Sequence, residues 1–247
     1  MKYFLFLLFF CFSCADKKVE ENVAITEASE VVANEEEPQK EKIIEKFDLE
    51  SIPNGDFPNE IKIVNSRNVV DKDSITTGFY NIDFYKNGKK IDSHPIQIEF
   101  SETQGEWYFN QNLVEEIDAK TDKRFLVIGN GFAACGYSHK KLLFYLSEDG
   151  AQLIQTWDSM MDSGFGNYMD FIPEFSNDKV ISFISRNIEA FPEDTISENS
   201  DGNVVISYSD STYNFMEKNM WKKKYLTPKG KVYREEKMTE NKYFEVK

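Results

Sequence analysis

On either side of Asn87-Gly88, residues 80–84 and 96–100 alternate apolar and polar side chains. Tyr80, Ile82 and Phe84 interleave with Asn81 and Asp83 in the first arm, and Ile96, Ile98 and Phe100 with Gln97 and Glu99 in the second. A period of two turns one face of a strand toward a core. Asn-Gly accepts the positive φ angles that a two-residue hairpin turn demands. The segment therefore predicts a β-hairpin. Pro95 cannot donate to a ladder, so the return arm either starts afresh there or lies on a sheet edge.

The same punctuation recurs downstream. Phe125-Leu126-Val127-Ile128, then Gly129-Asn130-Gly131, then residues 132–135 predict a second hairpin. Residues 142–146 and 152–157 around Glu148-Asp149-Gly150 predict a third. Shorter strands are expected at 61–64, 68–70, Trp107-Tyr108-Phe109, 180–184 and 204–206. Val232-Tyr233 reads as a return arm after the turn Thr227-Pro228-Lys229-Gly230, and Lys222-Lys223-Lys224 as a solvated or edge-protecting face. Residues 112–119 suit a short helix, and 158–176 an irregular loop. The predicted fold is mainly β, an antiparallel meander forming a sandwich or barrel-like sheet with one or two short helices. Residues 145–150 followed by 175–183 resemble a blade junction of TolB-type β-propellers, which implies a partial propeller as the alternative. No second copy of that pattern occurs in the chain.

The N-terminal residues carry a different signal. Lys2 precedes the apolar run 4–10, and Ser13-Cys14 is followed at once by Ala15-Asp16-Lys17-Lys18. This is the layout of a secretory signal peptide, and the run is shorter than the roughly 20 residues a spanning helix needs. A small residue and a cysteine directly after the run resemble the lipobox of bacterial lipoproteins. Cys11 and Phe12 stand where that family usually has Leu and Ala or Ser. The resemblance implies cleavage before Cys14, acylation of its thiol and new amino group, and a lipid-anchored place in the bacterial cell envelope. Ser13-Cys14-Ala15 also fits a small-x-small cleavage site, the plain-secretion alternative. The expected organisation is a signal peptide at 1–13, an acidic flexible tether at 14–50 beginning with lipidated Cys14, and a β-rich globular head at 51–247.

Charge supports the tether and excludes one class of partner. Residues 15–50 hold twelve acidic and five basic side chains, a net −7 of the chain's −14. Low hydrophobicity with high charge does not repay the entropy of ordering. Lys2 adds +1, so residues 51–247 carry −8. An acidic head in which arginine occurs only at 67, 124, 186 and 234 repels phosphate backbones, and no nucleic-acid partner is expected.

Candidate chemistry is sparse. With Cys11 in the signal and Cys14 carrying lipid, Cys135 is unpaired, and a buried, inert thiol is its expected role. Ser138-His139 lies close enough in sequence to suggest a thiol nucleophile with a base, although sequence proximity alone supplies neither reach nor orientation. The second histidine, His94, precedes Pro95 in another segment. Asp158, Asp162, Asn167 and Asp170 around Gly164 and Gly166 suggest an oxygen-rich loop, but their spacing does not match an EF-hand. Asp73-Ser74-Ile75, Asp158-Ser159-Met160, Asp194-Thr195-Ile196 and Asp210-Ser211-Thr212 resemble the Asp-Ser/Thr-apolar O-glycosylation motif of Bacteroidetes envelope proteins. No metal, cofactor or catalytic residue is assigned; Cys14 is the one site residue. The expected function is a non-enzymatic head that binds an envelope protein, glycan or small ligand. The alternative is an envelope hydrolase using loop carboxylates or Cys135.

Overall fold

The computed structural model describes residues 41–53, 55–100, 105–114, 121–132, 134, 136–193 and 202–246. Cys14, Cys135, residues 115–119 and Asp194-Thr195-Ile196 lie outside them. Four strands, β1 (Lys42–Asp48), β2 (Glu60–Val70), β3 (Thr76–Lys86) and β4 (Lys89–Phe100), form a small antiparallel meander. A larger antiparallel sheet follows: β5 (Glu106–Asn110), β6 (Phe125–Gly131), β7 (Ser138–Ser147), β8 (Gly150–Asp162), β9 (Phe165–Ser176), β10 (Lys179–Pro192), β11 (Asn203–Glu217) and β12 (Met220–Tyr225) in sequence order, with β13 (Val232–Thr239) paired to β11. A short helix, α1 (Glu240–Val246), closes the described chain. The architecture is mainly β and sandwich-like; among the described residues the sheets do not close into a barrel, and the large sheet is one continuous path with no radial blades.

The layers follow from which faces are apolar. Ile61, Ile63, Ile82 and Phe84 of the small sheet pack against Leu126, Ile128, Leu142 and Phe144 of the large one, forming the first core. The opposite face of β6–β8 carries Phe125, Val127, Leu143, Tyr145 and Trp157, which meet Val180, Phe183 and Trp221 in a second core. Strands β6–β8 are thus covered on both sides. This is why Phe125-Leu126-Val127-Ile128 is apolar without interruption where 80–84 alternates. A third cluster, Ile188, Ala190, Val204, Ile206 and Tyr208, is capped by Tyr243 of α1, whose ring stacks on Phe165 at 5.6 Å and whose hydroxyl donates to the Gly164 carbonyl at 2.9 Å.

The 79–100 hairpin forms as expected, with Asn87 and Gly88 at φ 51° and 80°, and β4 is the edge strand that tolerates Pro95. Several expectations need correction. Residues 42–48 are strand, not tether: β1 pairs with β2 from Lys42↔Asn65 to Asp48↔Glu60. Ile44, Phe47 and Leu49 rest on the first core, with the Phe47 ring 4.9 Å from Phe109, and this burial outweighs the local charge. The head therefore starts before residue 51. Gly129-Asn130-Gly131 is not a turn; β6 runs through it and the chain turns later, before Ser138. Residues 158–176 are strand rather than irregular loop, with β8 and β9 joined by a turn at Ser163-Gly164, both at positive φ. Residues 112–114 are a bend with no helix. The third hairpin is real, but Glu148-Asp149 form its turn and Gly150 begins β8. Finally, β13 does not return along β12. Both pair with β11, β12 along 212–217 and β13 along 203–209.

Polar side chains tie the layers together. The Gln152 amide brackets Trp221, accepting from its N–H at 2.8 Å and donating to its carbonyl at 2.9 Å, so β8 is held to β12. The Asp92 carboxylate accepts from the Ala151 N–H at 2.9 Å, and His94 Nε2 reaches the Ala151 carbonyl at 2.7 Å, which fastens β4 to β8. Asp122 ion-pairs with Arg124 and accepts from the Val180 N–H at 3.1 Å, fixing the start of β10.

Candidate functional site

Strands β8 and β9 are joined by a tight turn, yet their ladder is confined to Met160–Asp162 opposite Phe165–Asn167. Beyond Asn167, β9 keeps β10 as its neighbour and turns away from β8, because Trp157 and Phe171 wedge between them with ring centroids 5.5 Å apart. The divergence opens a cleft of about 290 Å³. Strands β6–β8 contribute Val127, Lys141, Trp157, Ser159 and Met161 to it. Leu113 and Val114 contribute a second wall, and the consecutive residues Tyr168, Met169, Asp170 and Phe171 a third. Consecutive residues can line one cavity only where a strand presents its edge, since alternate side chains point to opposite faces.

A second hollow of about 370 Å³ adjoins the first through Lys141, Ser159 and Met161 and continues to Tyr108, Phe132 and His139. The glycines of β6 make room for it. A Cβ on Gly129 would lie 2.1 Å from the Tyr108 ring, and one on Gly131 would lie 2.4 Å from His139 Nδ1. The two rings can therefore cross the strand and meet, Tyr108 hydroxyl to His139 Nδ1 at 3.0 Å. With the ring proton on Nε2, that hydroxyl is the donor.

Three polar groups face this trench in different states. Ser159 sits at the junction of the two hollows, is only 5% exposed, and is held there by the pairing of its main chain with His139 across the β7–β8 ladder. Asp170 is ion-paired with Arg186 on the neighbouring strand, at 2.8 Å. Tyr168 has its phenol pushed up to about 12 by burial, with Tyr243 acting in the same sense, so it stays a neutral hydroxyl. On the far side of Trp157 and Met169 lies a polar hollow reaching Thr212, Asn187 and Lys223. Behind it, Gln155, Ser185, Thr212 and Asn214 form a buried hydrogen-bonded chain.

The residues singled out from sequence are scattered. Asp158 pairs with Lys140, Asp162 receives the Ser163 hydroxyl at the hairpin tip, and Asp170 holds Arg186. Among the described residues no three His, Cys, Asp or Glu side chains group as metal ligands. His139 and Asp170 border adjoining hollows but engage different partners, and His94 serves the β4–β8 tie. Of the Asp-Ser/Thr triplets, Ser74 is exposed in a turn, whereas Ser159 and Ser211 are buried. Sequence reasoning missed Ser159 as a cleft residue and missed Lys141 and Tyr168 altogether. The one available signal was the odd-numbered row Trp157, Ser159, Met161, which places a small hydroxyl between large apolar side chains on one strand face.

His139 makes the trench sensitive to acid. Burial lowers its pKa below the usual 6.5 and the Lys141 cation adds to that, while a bond to the Phe132 carbonyl opposes them. The unfolded chain therefore takes up the proton first as pH falls. Stability from this site is complete above about pH 6.5 and is lost as pH drops through the lower folded value. Thermal melts between about pH 7.5 and pH 5 should show a falling midpoint, and His139→Gln should flatten that slope. An unchanged slope in the variant would contradict this assignment.

No family model matches the chain, and neither a curated protein nor a solved structure is similar to it.

Proposed function

We propose that this is a bacterial cell-envelope lipoprotein, anchored through Cys14, whose β-rich head is a non-enzymatic binding module for an envelope protein, glycan or small ligand. The observation that carries the reading is the trench itself, two adjoining hollows lined largely by apolar side chains with the Ser159 hydroxyl at their junction. Concave, mostly apolar surfaces with a few placed polar groups are the usual form of a ligand site. Around Ser159, the groups that could do acid–base work are committed elsewhere: Asp170 to Arg186, and His139 to Tyr108. The hydrolase alternative would need a nucleophile, base and orienting group within hydrogen-bond reach of one another. Asp158, Asp162 and Asp170 instead lie apart along two strands.

Anchoring and binding can be tested separately. Two acyl chains hold a protein stably on a membrane where one does not. Cys14→Ser should therefore move the protein from the detergent phase to the aqueous phase and abolish palmitate labelling. A wild type that stays aqueous and unlabelled would remove the anchor from this reading. For binding, a photo-crosslinking residue at Met161 should capture an envelope component in living cells, while the same residue at exposed Phe191 should not. Equal capture, or none at Met161, would remove the trench as the binding surface.

A further inference from the structure

Resting on the binding-module reading above, we infer that the ligand of the trench is an extended peptide segment. It would add to the free edge of β9 and place one bulky apolar side chain in the cleft beside Ser159. Three observations lead there. First, the β8–β9 ladder stops at Asn167, and Met169–Phe171 face the cleft as a strand edge paired only with β10. A strand edge offers main-chain donors and acceptors at the spacing of another extended chain, and pockets beside it select alternate side chains. Second, the lining of the cleft beside that edge includes the aliphatic and thioether side chains of Leu113, Val114, Val127, Met161 and Met169. Aliphatic and thioether side chains adapt to a branched or aromatic residue. Of the rings in the cleft wall, Trp157 is buried with Phe171 edge-on to it, so this pair does not present open faces to a sugar. Third, Ser159 waits at the waist between the two hollows, where a peptide crossing from one to the other would pass its main chain. That hydroxyl can donate to a carbonyl or accept from an N–H.

Charge adds a further requirement on the partner. The chain carries a net −14, which repels acidic segments and favours encounter with neutral or basic ones. The expected ligand is thus an extended, uncharged stretch with a central large apolar residue and basic flanks.

The test uses the purified mature protein in mild detergent and a fluorescein-labelled heptapeptide. Its sequence alternates valine and threonine around a central leucine and has lysine at both ends. Fluorescence anisotropy should show saturable binding that weakens as salt is raised. Replacing the leucine by serine should weaken it by about tenfold or more, the loss of a buried anchor. Two N-methylated versions, blocking the odd or the even main-chain N–H groups, should differ, with one about tenfold weaker than the other, since only one row of N–H groups faces β9. Ser159→Trp and, separately, Met161→Trp should each fill the cleft and abolish binding, circular dichroism confirming that at least one is folded. Equal binding of both N-methylated peptides, indifference to the leucine, or no saturation up to roughly millimolar peptide overturns the inference. So does a rise in melting temperature with decanoate or N-acetylglucosamine that Met161→Trp removes, in the absence of peptide binding, which points to a small ligand. If the peptide fails while the Met161 crosslink still captures an envelope component, the module stands and its ligand is of another class. If both fail, the trench is not a binding site.

Discussion

Phe125→Ala should destabilise the protein by about 3–5 kcal/mol, the largest effect of any single truncation proposed for it. Phe125 is fully buried and lies at the centre of an aromatic cluster, 5.2 Å from Tyr145, 5.3 Å from Trp221 and 5.8 Å from Phe183 between ring centroids. Those three rings belong to β7, β12 and β10, so one side chain joins the middle layer to the outer one. Removing it takes away both the transfer free energy of the ring and the edge-to-face contacts, and three rigid rings collapse poorly into the void. Against a total stability of about 5–15 kcal/mol, a loss of that size leaves the fold marginal. Urea titration of the variant beside Phe191→Ala, an exposed site expected to stay within about 0.5 kcal/mol, provides the comparison. Similar midpoints for the two would show that the second core is far looser than its packing suggests.

A chain starting at residue 51 should melt well below one starting at residue 41 and should self-associate. Removing 41–50 deletes β1 and with it the partly buried Ile44, Phe47 and Leu49. Half-burial of three such side chains is worth on the order of 3 kcal/mol. The deletion also uncovers the β2 edge, a long strand whose newly unpaired main chain invites another copy. Lys123 loses its ion pair with Glu50, and Gln111 loses the main-chain N–H and carbonyl of Glu50. Matched melting temperatures and a monomeric elution profile for both lengths would refute the role given to β1.

The reading of β1 shows where sequence reasoning stops. Residues 42–48 have two charged residues for each place where an apolar one can be tucked inward, so composition alone assigns them to a solvated extension. What makes them strand is the waiting edge of β2, which lies outside any local window. Asn87-Gly88, by contrast, was legible because the turn and both arms lie within 25 residues of one another (Thr76–Phe100). Gly129-Asn130-Gly131 misled for a related reason. Its glycines serve close approach by Tyr108 and His139, residues from the two neighbouring strands, whereas a sequence window sees only glycine and reads a turn. Of the candidate site, the carboxylates and His139 were visible as residue types. The cleft itself was not, because it arises from the failure of β8 and β9 to stay paired, a consequence of the Trp157–Phe171 wedge.

Within each sheet, every described strand after the first lies beside the strand that precedes it in the chain, except β13: β12 comes before it, but its neighbour is β11. Partners are thus separated by little more than their own turns, and the entropy of bringing them together is small and nearly constant along the sequence. A β protein arranged this way escapes the slow search that distant strand pairing imposes, and its sheets can grow hairpin by hairpin in the order the ribosome delivers them.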